Sequence, residues 1–333
     1  MNFTSRGITH TLPKRAAISG MSMLLVAALP LAALAQTYPA KPVRVVVPFA
    51  PGGGIDYMAR LMGQRLAEPL GQQVVVDNRP GAGGTVGTEI GMKSAPDGYT
   101  LTMISSSYPV FPSLYKLAYD PLTDITPIIL VAKTPFIVTV HPTLPVKSIG
   151  ELIALAKAKP GEINFASAGA GSGVHLATEL FMHQAGIRMN HVPYKGTGPA
   201  LTDTMAGQVT LLFGSVAASL PHVKSGRLKA LAVTSAQRMN ADPSIPSIAE
   251  SGLSGYEVLD WSALIAPKGT PRAVVDRING EVRKVLAQKD LEDRFQQEGL
   301  AAGGGSPEQL LDMIRREMET WRKVIAAAGI KIN

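Results

Sequence analysis

Twice along this chain an extended apolar run breaks into a glycine-rich turn and resumes as a helix: VVVPFAPGGGID, Val45 to Asp56, and NFASAGAGSGVH, Asn164 to His175. A strand passed to a helix through a short turn is the repeating step of sheets whose parallel strands are joined by covering helices. The pattern continues around both copies. Val43 to Val47, Val74 to Asp77 and Tyr99 to Ile104 read as strands, with helices at Asp56 to Leu70 and Thr85 to Lys93, giving one wound βαβαβ unit. In a second unit Ser148 to Lys157, Ser172 to Ala185 and Pro199 to Ala206 read as helices, while Ile163 to Ala166, His191 to Pro193, Val209 to Phe213 and Leu231 to Val233 read as extended. Two proline-bounded strands, Ile128 to Val131 and Phe136 to Val140, carry the chain out of the first unit. Arg238 to Gly255 is a long connection, followed by a strand at Trp261 to Ala266 and a helix at Ala273 to Ala287. Ser306, Pro307 and Glu308 form a helix start that Leu310 to Ala327 continues. The expected class is α/β, with two wound sheets and a ligand cleft between them.

A chain of 333 residues suggests about two domains. Arg6, Lys14 and Arg15 precede the acid-free apolar stretch Ala16 to Leu34, which closes on the small-residue pattern Ala33-Leu34-Ala35, so residues 1–35 read as a secretory signal peptide cleaved after Ala35. The alternative is a permanent N-terminal anchor, against which Pro30 and the small residues weigh. Losing three basic residues with the leader lowers the formal charge from +7 to +4, too little to argue for nucleic acid. The absence of cysteine excludes disulfides, thiolate metal sites and cysteine nucleophiles, and the six histidines show no metal-ligand spacing. No metal or cofactor is expected.

The glycine turns point to anion binding. Gly52, Gly53 and Gly54 stand between a buried strand and a helix starting near Asp56, where peptide N–H groups and the helix dipole would receive a carboxylate. The other reading is a tight strand-to-helix turn with Asp56 as cap. The second turn repeats the design with Gly169, Gly171 and Gly173 beside Ser167 and Ser172, so two domains could hold both ends of a dicarboxylate, or one carboxylate from two sides. Gly81, Gly83, Gly84 and Gly87 do not give GxGxxG spacing and neither do Gly169, Gly171 and Gly173, no GxxxxGK[ST] loop occurs, and GxSxG fails at Ala170. An exported hydrolase using the same cleft is the competing class, and a structural envelope protein is a third.

The segments quoted above, together with DGYTL, VPYKGTGPALTD, GRLKALAVTS and IAESGLSGYEV, resemble the periplasmic receptors of tripartite tricarboxylate transporters, the Bug or TctC family, from about Tyr38 to the C-terminus. The resemblance implies a two-domain periplasmic-binding-protein (Venus flytrap) fold, no enzymatic activity, and capture of a small carboxylate (a di- or tricarboxylate, amino acid or aromatic acid) for delivery to a membrane permease or sensor. It places the ligand at Phe49, Ala50, Pro51, Gly52, Gly53, Gly54 and Asp56 of the first loop and at Ala168, Gly169, Gly171, Ser172 and His175 of the second. Glycine N–H groups and the Ser172 hydroxyl are the direct donor candidates, Phe49 a cleft wall, and His175 either a donor to ligand or a support for its loop. Ser105, Ser106 and Ser107 could line the cleft or form an ordinary turn; Tyr194 and Lys195 could set selectivity or form a solvated loop. Thr210 and Gly214, in GQVTLLFG, stand where the family often has acidic or polar residues, and Thr210 also reads as an ordinary strand residue. The expected organisation is residues 36–134 with 262–333 as domain 1 and 135–261 as domain 2, hinged near Lys133 to Pro135 and Leu259 to Ser262. A periplasmic monomer, without nucleic acid and not membrane-spanning when mature, completes the expectation.

Overall fold

The computed structural model describes Met1 and residues 38–332; the expected leader and its cleavage point after Ala35 lie outside the described residues. In chain order the elements are β1 (Val43–Val47), α1 (Gly54–Leu70), β2 (Val74–Asn78), α2 (Thr85–Met92), β3 (Thr100–Ser105), α3 (Phe111–Leu114) and β4 (Ile125–Val140). There follow α4 (Ile149–Ala158), β5 (Asn164–Ser167), α5 (Gly173–Ala185), β6 (Asn190–Pro193), α6 (Thr197–Met205), β7 (Leu211–Ser215), α7 (Val216–Lys224) and β8 (Lys229–Val233). The chain then forms β9 (Leu259–Pro267), α8 (Arg272–Leu286), α9 (Lys289–Gln297), β10 (Ala301–Gly304) and α10 (Pro307–Ala328). Among these described residues no helix is long and apolar enough to cross a membrane.

The α/β class read from the pattern is the one observed. β1 pairs in parallel with β2 and β3, and β5 pairs in parallel with β6 and β7. Antiparallel β9 and β4 join these two wound parts into the strand path β2-β1-β3-β9-β4-β7-β5-β6, with β8 and β10 each added against β4. The first part packs Val45 and Val47 against Met58, Met62 and Leu66 of α1 and Ile278 and Val282 of α8; the second gathers Phe165, Phe181, Phe213 and Tyr256 in a separate core. Burying such side chains contributes roughly 1.5–3 kcal/mol each. Helix α10 starts behind a capping box, Ser306 with Gln309, and ends at Gly329 in the left-handed region. Its start packs Leu310 and Ile314 beside Trp261, whereas its end sends Trp321 and Ile325 into the second core.

Several local readings are corrected. The two strands expected at Ile128 to Val131 and Phe136 to Val140 are one 16-residue strand, β4, running through Pro127 and Pro135. Register shifts between Pro127 and Ile129 and between Leu130 and Ala132 absorb irregularities along it. Helix α7 was hidden by Pro221, a residue that ordinarily interrupts helices. Helix α9 is mostly polar and buries only Leu291 and Phe295, one turn apart. Strand β10, Ala-Ala-Gly-Gly, has little extended propensity; it forms because Gly303 lies so close to β4 that an added Cβ would come within 2.3 Å of the Leu130 carbonyl oxygen.

Candidate functional site

The carboxyl ends of β1, β3, β5 and β7 converge on one small cavity of about 30 Å³, with space for about two waters. Ligands of wound α/β sheets bind at this edge, where strands hand over to helices. Gly53 and Gly54 line it from the first turn, Ala168 and Ser172 from the second, and Ser105, Ser106 and Ser107 from the end of β3. Phe49 and Phe136 form apolar walls. Helices α1, α5 and α7 start at this space from the N-cap residues Gly53, Ser172 and Ser215, so three positive dipole ends meet there.

Bare backbone has a second role besides exposing amides: it lets opposing segments touch. A Cβ on Gly54 would come within 2.5 Å of Ser215 Oγ, and one on Gly173 within 2.4 Å of Ser106 Oγ. Between the two glycine turns and their surroundings, a Cβ on Gly83 would approach the Ala170 carbonyl oxygen to 2.2 Å, and one on Gly198 the Pro51 carbonyl oxygen to 2.1 Å. The Ala50 N–H completes the contact by donating to the Lys195 carbonyl at 2.9 Å.

Most expected glycine donors are already engaged. The N–H of Gly52 donates to Asp56 Oδ2 at 3.0 Å, that of Gly169 to Ser167 Oγ at 3.0 Å, and that of Gly171 to His175 Nδ1 at 3.2 Å. Gly173 N–H donates to Ser107 Oγ at 2.9 Å. Among the described residues Gly53, Gly54 and Val174 line the cavity with N–H groups that find no protein acceptor. Ser172 accepts from the His175 N–H, which leaves its own hydroxyl proton free to point elsewhere.

The charged members of the turns therefore work from behind. Asp56 is buried, and burial alone would raise its carboxyl, but Arg60, the Gly52 N–H and Asn78 together draw it below the usual carboxylate range. Asn78 Nδ2 donates at 2.9 Å both to Asp56 and to the Phe49 carbonyl, so this acid clamps the first turn rather than facing the cavity. His175 is 3 % exposed and, with Nδ1 accepting from Gly171, presents its Nε2 to Glu179 at 3.3 Å. Its ring stacks on His191 with centroids 4.1 Å apart, and His191 Nε2 lies 2.6 Å from Ser167 Oγ. Of its two sequence readings, the loop-supporting geometry is the one present.

Burial, and secondarily His175, lowers His191 to about 3. An unfolded chain would protonate this imidazole near its ordinary value of about 6.5, so stability falls as pH drops from there toward 3. We expect His191→Gln to flatten the urea-denaturation profile by about 1 kcal/mol between pH 6 and pH 5, at most the one-proton slope of about 1.4 kcal/mol per unit. An unchanged slope would show that this ring does not govern the acid limb.

The other sequence candidates lie outside the cavity lining. Ala50 and Pro51 contact the segment Lys195 to Gly198, and the Tyr194 hydroxyl donates to Asp203 at 2.8 Å, its ionisation raised to about 12 by burial and that bond. Thr210 precedes β7 instead of lying within it, and its hydroxyl donates to the Asn164 carbonyl at 3.2 Å; Gly214 lies inside β7, opposite Ile137. Sequence reasoning missed Thr197, Ser215 and Asp260, which all line the cavity. Asp260 Oδ1 accepts from the Ser106 hydroxyl at 2.6 Å and, more weakly, from the Ser106 N–H at 3.4 Å. Burial raises its carboxyl, opposed by Ser106 and the Trp261 N–H. The one local signal was an acid set at the head of an apolar strand, in VLDWSALIAP.

Comparison with known proteins adds to this geometry. Residues 58–330 match the family model described as tripartite tricarboxylate transporter family receptor. The chain is 39% identical over 302 residues to the protein BugT of Bordetella pertussis, covering 90% of this chain and 93% of that one. Among solved structures, the periplasmic binding protein BugD superposes with a TM-score of 0.85 at 36% identity, covering 88% of this chain and 99% of BugD. A structure from R. palustris solved with adipate gives a TM-score of 0.85 at 37% identity, covering 88% of this chain and 99% of the other.

Proposed function

Because the chain belongs to the tripartite tricarboxylate transporter receptor family, whose members are periplasmic solute-binding proteins, we propose that it captures a small carboxylate in the cavity between its two glycine turns. The observation that carries this reading is the set of unengaged Gly53, Gly54 and Val174 N–H groups at helix starts, ringed by serine and threonine hydroxyls, with no basic side chain among the described residues of the lining. Neutral donors at dipole ends receive a carboxylate without an arginine. A relative of this chain was solved with adipate, which supports the ligand class.

Capture proceeds by domain closure, since a space this small admits a ligand only when the lobes part. The lobes in this reading are residues 36–134 with 262–333, and residues 135–261. The two crossing segments lie side by side, Lys133 opposite Trp261 and Pro135 opposite Leu259, a narrow strap about which the lobes turn. The protein acts without chemistry on its ligand, in the periplasm after release of residues 1–35, as a monomer that hands the solute to a membrane permease.

A carboxylate panel added to ligand-stripped protein tests the reading. At a hundred times its dissociation constant, a ligand bound only by the native state stabilises it by about 2.7 kcal/mol, seen as a rise of several degrees in the thermal midpoint. A panel of aliphatic and aromatic carboxylates with no shift would refute capture, and turnover of an ester or amide panel would favour a hydrolase instead.

A further inference from the structure

We propose that Asp260 makes this cavity a receptor for zwitterions, solutes that carry an ammonium group close to the carboxylate, and that it selects against the same acids without the amine. The inference rests on the carboxylate reading above and narrows it to one chemical class.

Among the described residues Asp260 is the sole ionisable side chain lining the cavity. It enters from β9, in the strap between the lobes, and also borders a second small space lined by Gly54 and Ser215. Its partners are neutral donors, the Ser106 hydroxyl and N–H and the Trp261 N–H. Among the described residues no lysine, arginine or histidine lines either space. Beyond the lining, Glu317 accepts from Trp261 Nε1 at 3.0 Å and has Lys133 as its neighbouring cation, whereas the groups that act on Asp260 include no cation among the described residues. Asp260 is half-buried, and a carboxylate partly withdrawn from water without a cation is costly, so a receptor that retains one at its ligand cavity leaves the cation to the ligand.

The spacing suits a compact zwitterion. Ser106 touches both poles: its hydroxyl reaches Asp260, and it stands so close to Gly173 that an added Cβ there would come within 2.4 Å of it. The start of α5, where a carboxylate would bind, is therefore one serine away from the acid. A ligand with its ammonium one or two bonds from its carboxylate places opposite charges against opposite poles of the site. A second carboxylate in the same place would face Asp260 directly, with like charges a few ångströms apart.

The experiment is calorimetric titration of ligand-stripped protein with matched pairs that differ only in the amine: aspartate and succinate, glutamate and glutarate, alanine and propionate. The amino member of at least one pair should bind about tenfold or more tighter than its partner, and Asp260→Asn should remove that difference by weakening the amino member alone. Succinate, glutarate or propionate binding as tightly as its amino partner would overturn the zwitterion assignment while leaving carboxylate capture intact. Equal loss of both members in Asp260→Asn would reduce Asp260 to a structural role and overturn it too. Binding by no member of any pair would end the carboxylate reading and this inference together. Circular dichroism establishes that the variant folds; should it not, the wild-type pairs decide alone.

Discussion

Gly54→Val is expected to lower ligand affinity roughly tenfold to a hundredfold while leaving each lobe folded. The first side-chain carbon would sit 2.5 Å from Ser215 Oγ and 2.8 Å from Ser215 Cβ, far inside contact distance, and the Ser215 Cβ is held in place by its buried strand, which pairs with Phe136 of β4. On the proposed closure, the clash exists only when the two lobes meet. Overpacking of this kind typically costs 1–3 kcal/mol, and on the reading proposed above the cost falls on the closure that accompanies ligand binding. Calorimetry measures the loss, and small-angle scattering should show that ligand no longer compacts the variant. Gly280→Ala, at a helical site where an added Cβ meets nothing within 4 Å beyond the helix's own backbone, is the control and should leave affinity unchanged. Gly54→Ala combined with Ser215→Gly should recover binding, because the two substitutions share one contact. Full affinity in Gly54→Val would refute closure across this contact.

Asp56→Ala is expected to destabilise the protein by about 3 kcal/mol and to weaken binding as well. Asp56 accepts from the Gly52 N–H, Asn78 and Arg60, and hydrogen bonds to a charged group contribute about 1.5–3 kcal/mol each. The Arg60 pair counts for little of this, since that side chain is 50% exposed and screened by water. The larger part comes from the Gly52 and Asn78 donors, left without their acceptor beside a buried turn. The pH response has a definite sign. Because the folded carboxyl is held below its unfolded value, its stabilisation is complete above about pH 4 and is lost as pH falls through the lowered folded value. Asp56→Asn should therefore cost most at neutral pH and least in strong acid. A urea series showing the same penalty at pH 7 and pH 3 would show that the charge is not what secures the turn.

The parts of the molecule that were legible beforehand are those decided within a few residues. Glycine and serine at the end of an apolar run mark a strand-to-helix turn, and Ser172 and Ser306 do cap the helices that follow them. Strand alternation and helical periodicity likewise placed β1, α1, β3 and α5 to within about two residues. Elements whose local propensity conflicts with their final state were not legible: α7 with its internal proline, β10 with its two glycines, and the unbroken run of β4 through two prolines. In each, packing against a neighbouring strand or helix outweighs the preference of the segment itself.

The site divides in the same way. That two glycine turns would present helix starts was determined by the sequence, because the turn chemistry and the dipole are local properties of each segment. Which amides remain free, which glycines exist for contact rather than exposure, and that an acid lines the cavity were decided by tertiary structure alone. Ser106 and Asp260 meet across a separation of 154 residues, and no short-range pattern records such a pairing. A donor has room for one good acceptor, so its availability to a ligand depends on what the completed fold brings beside it.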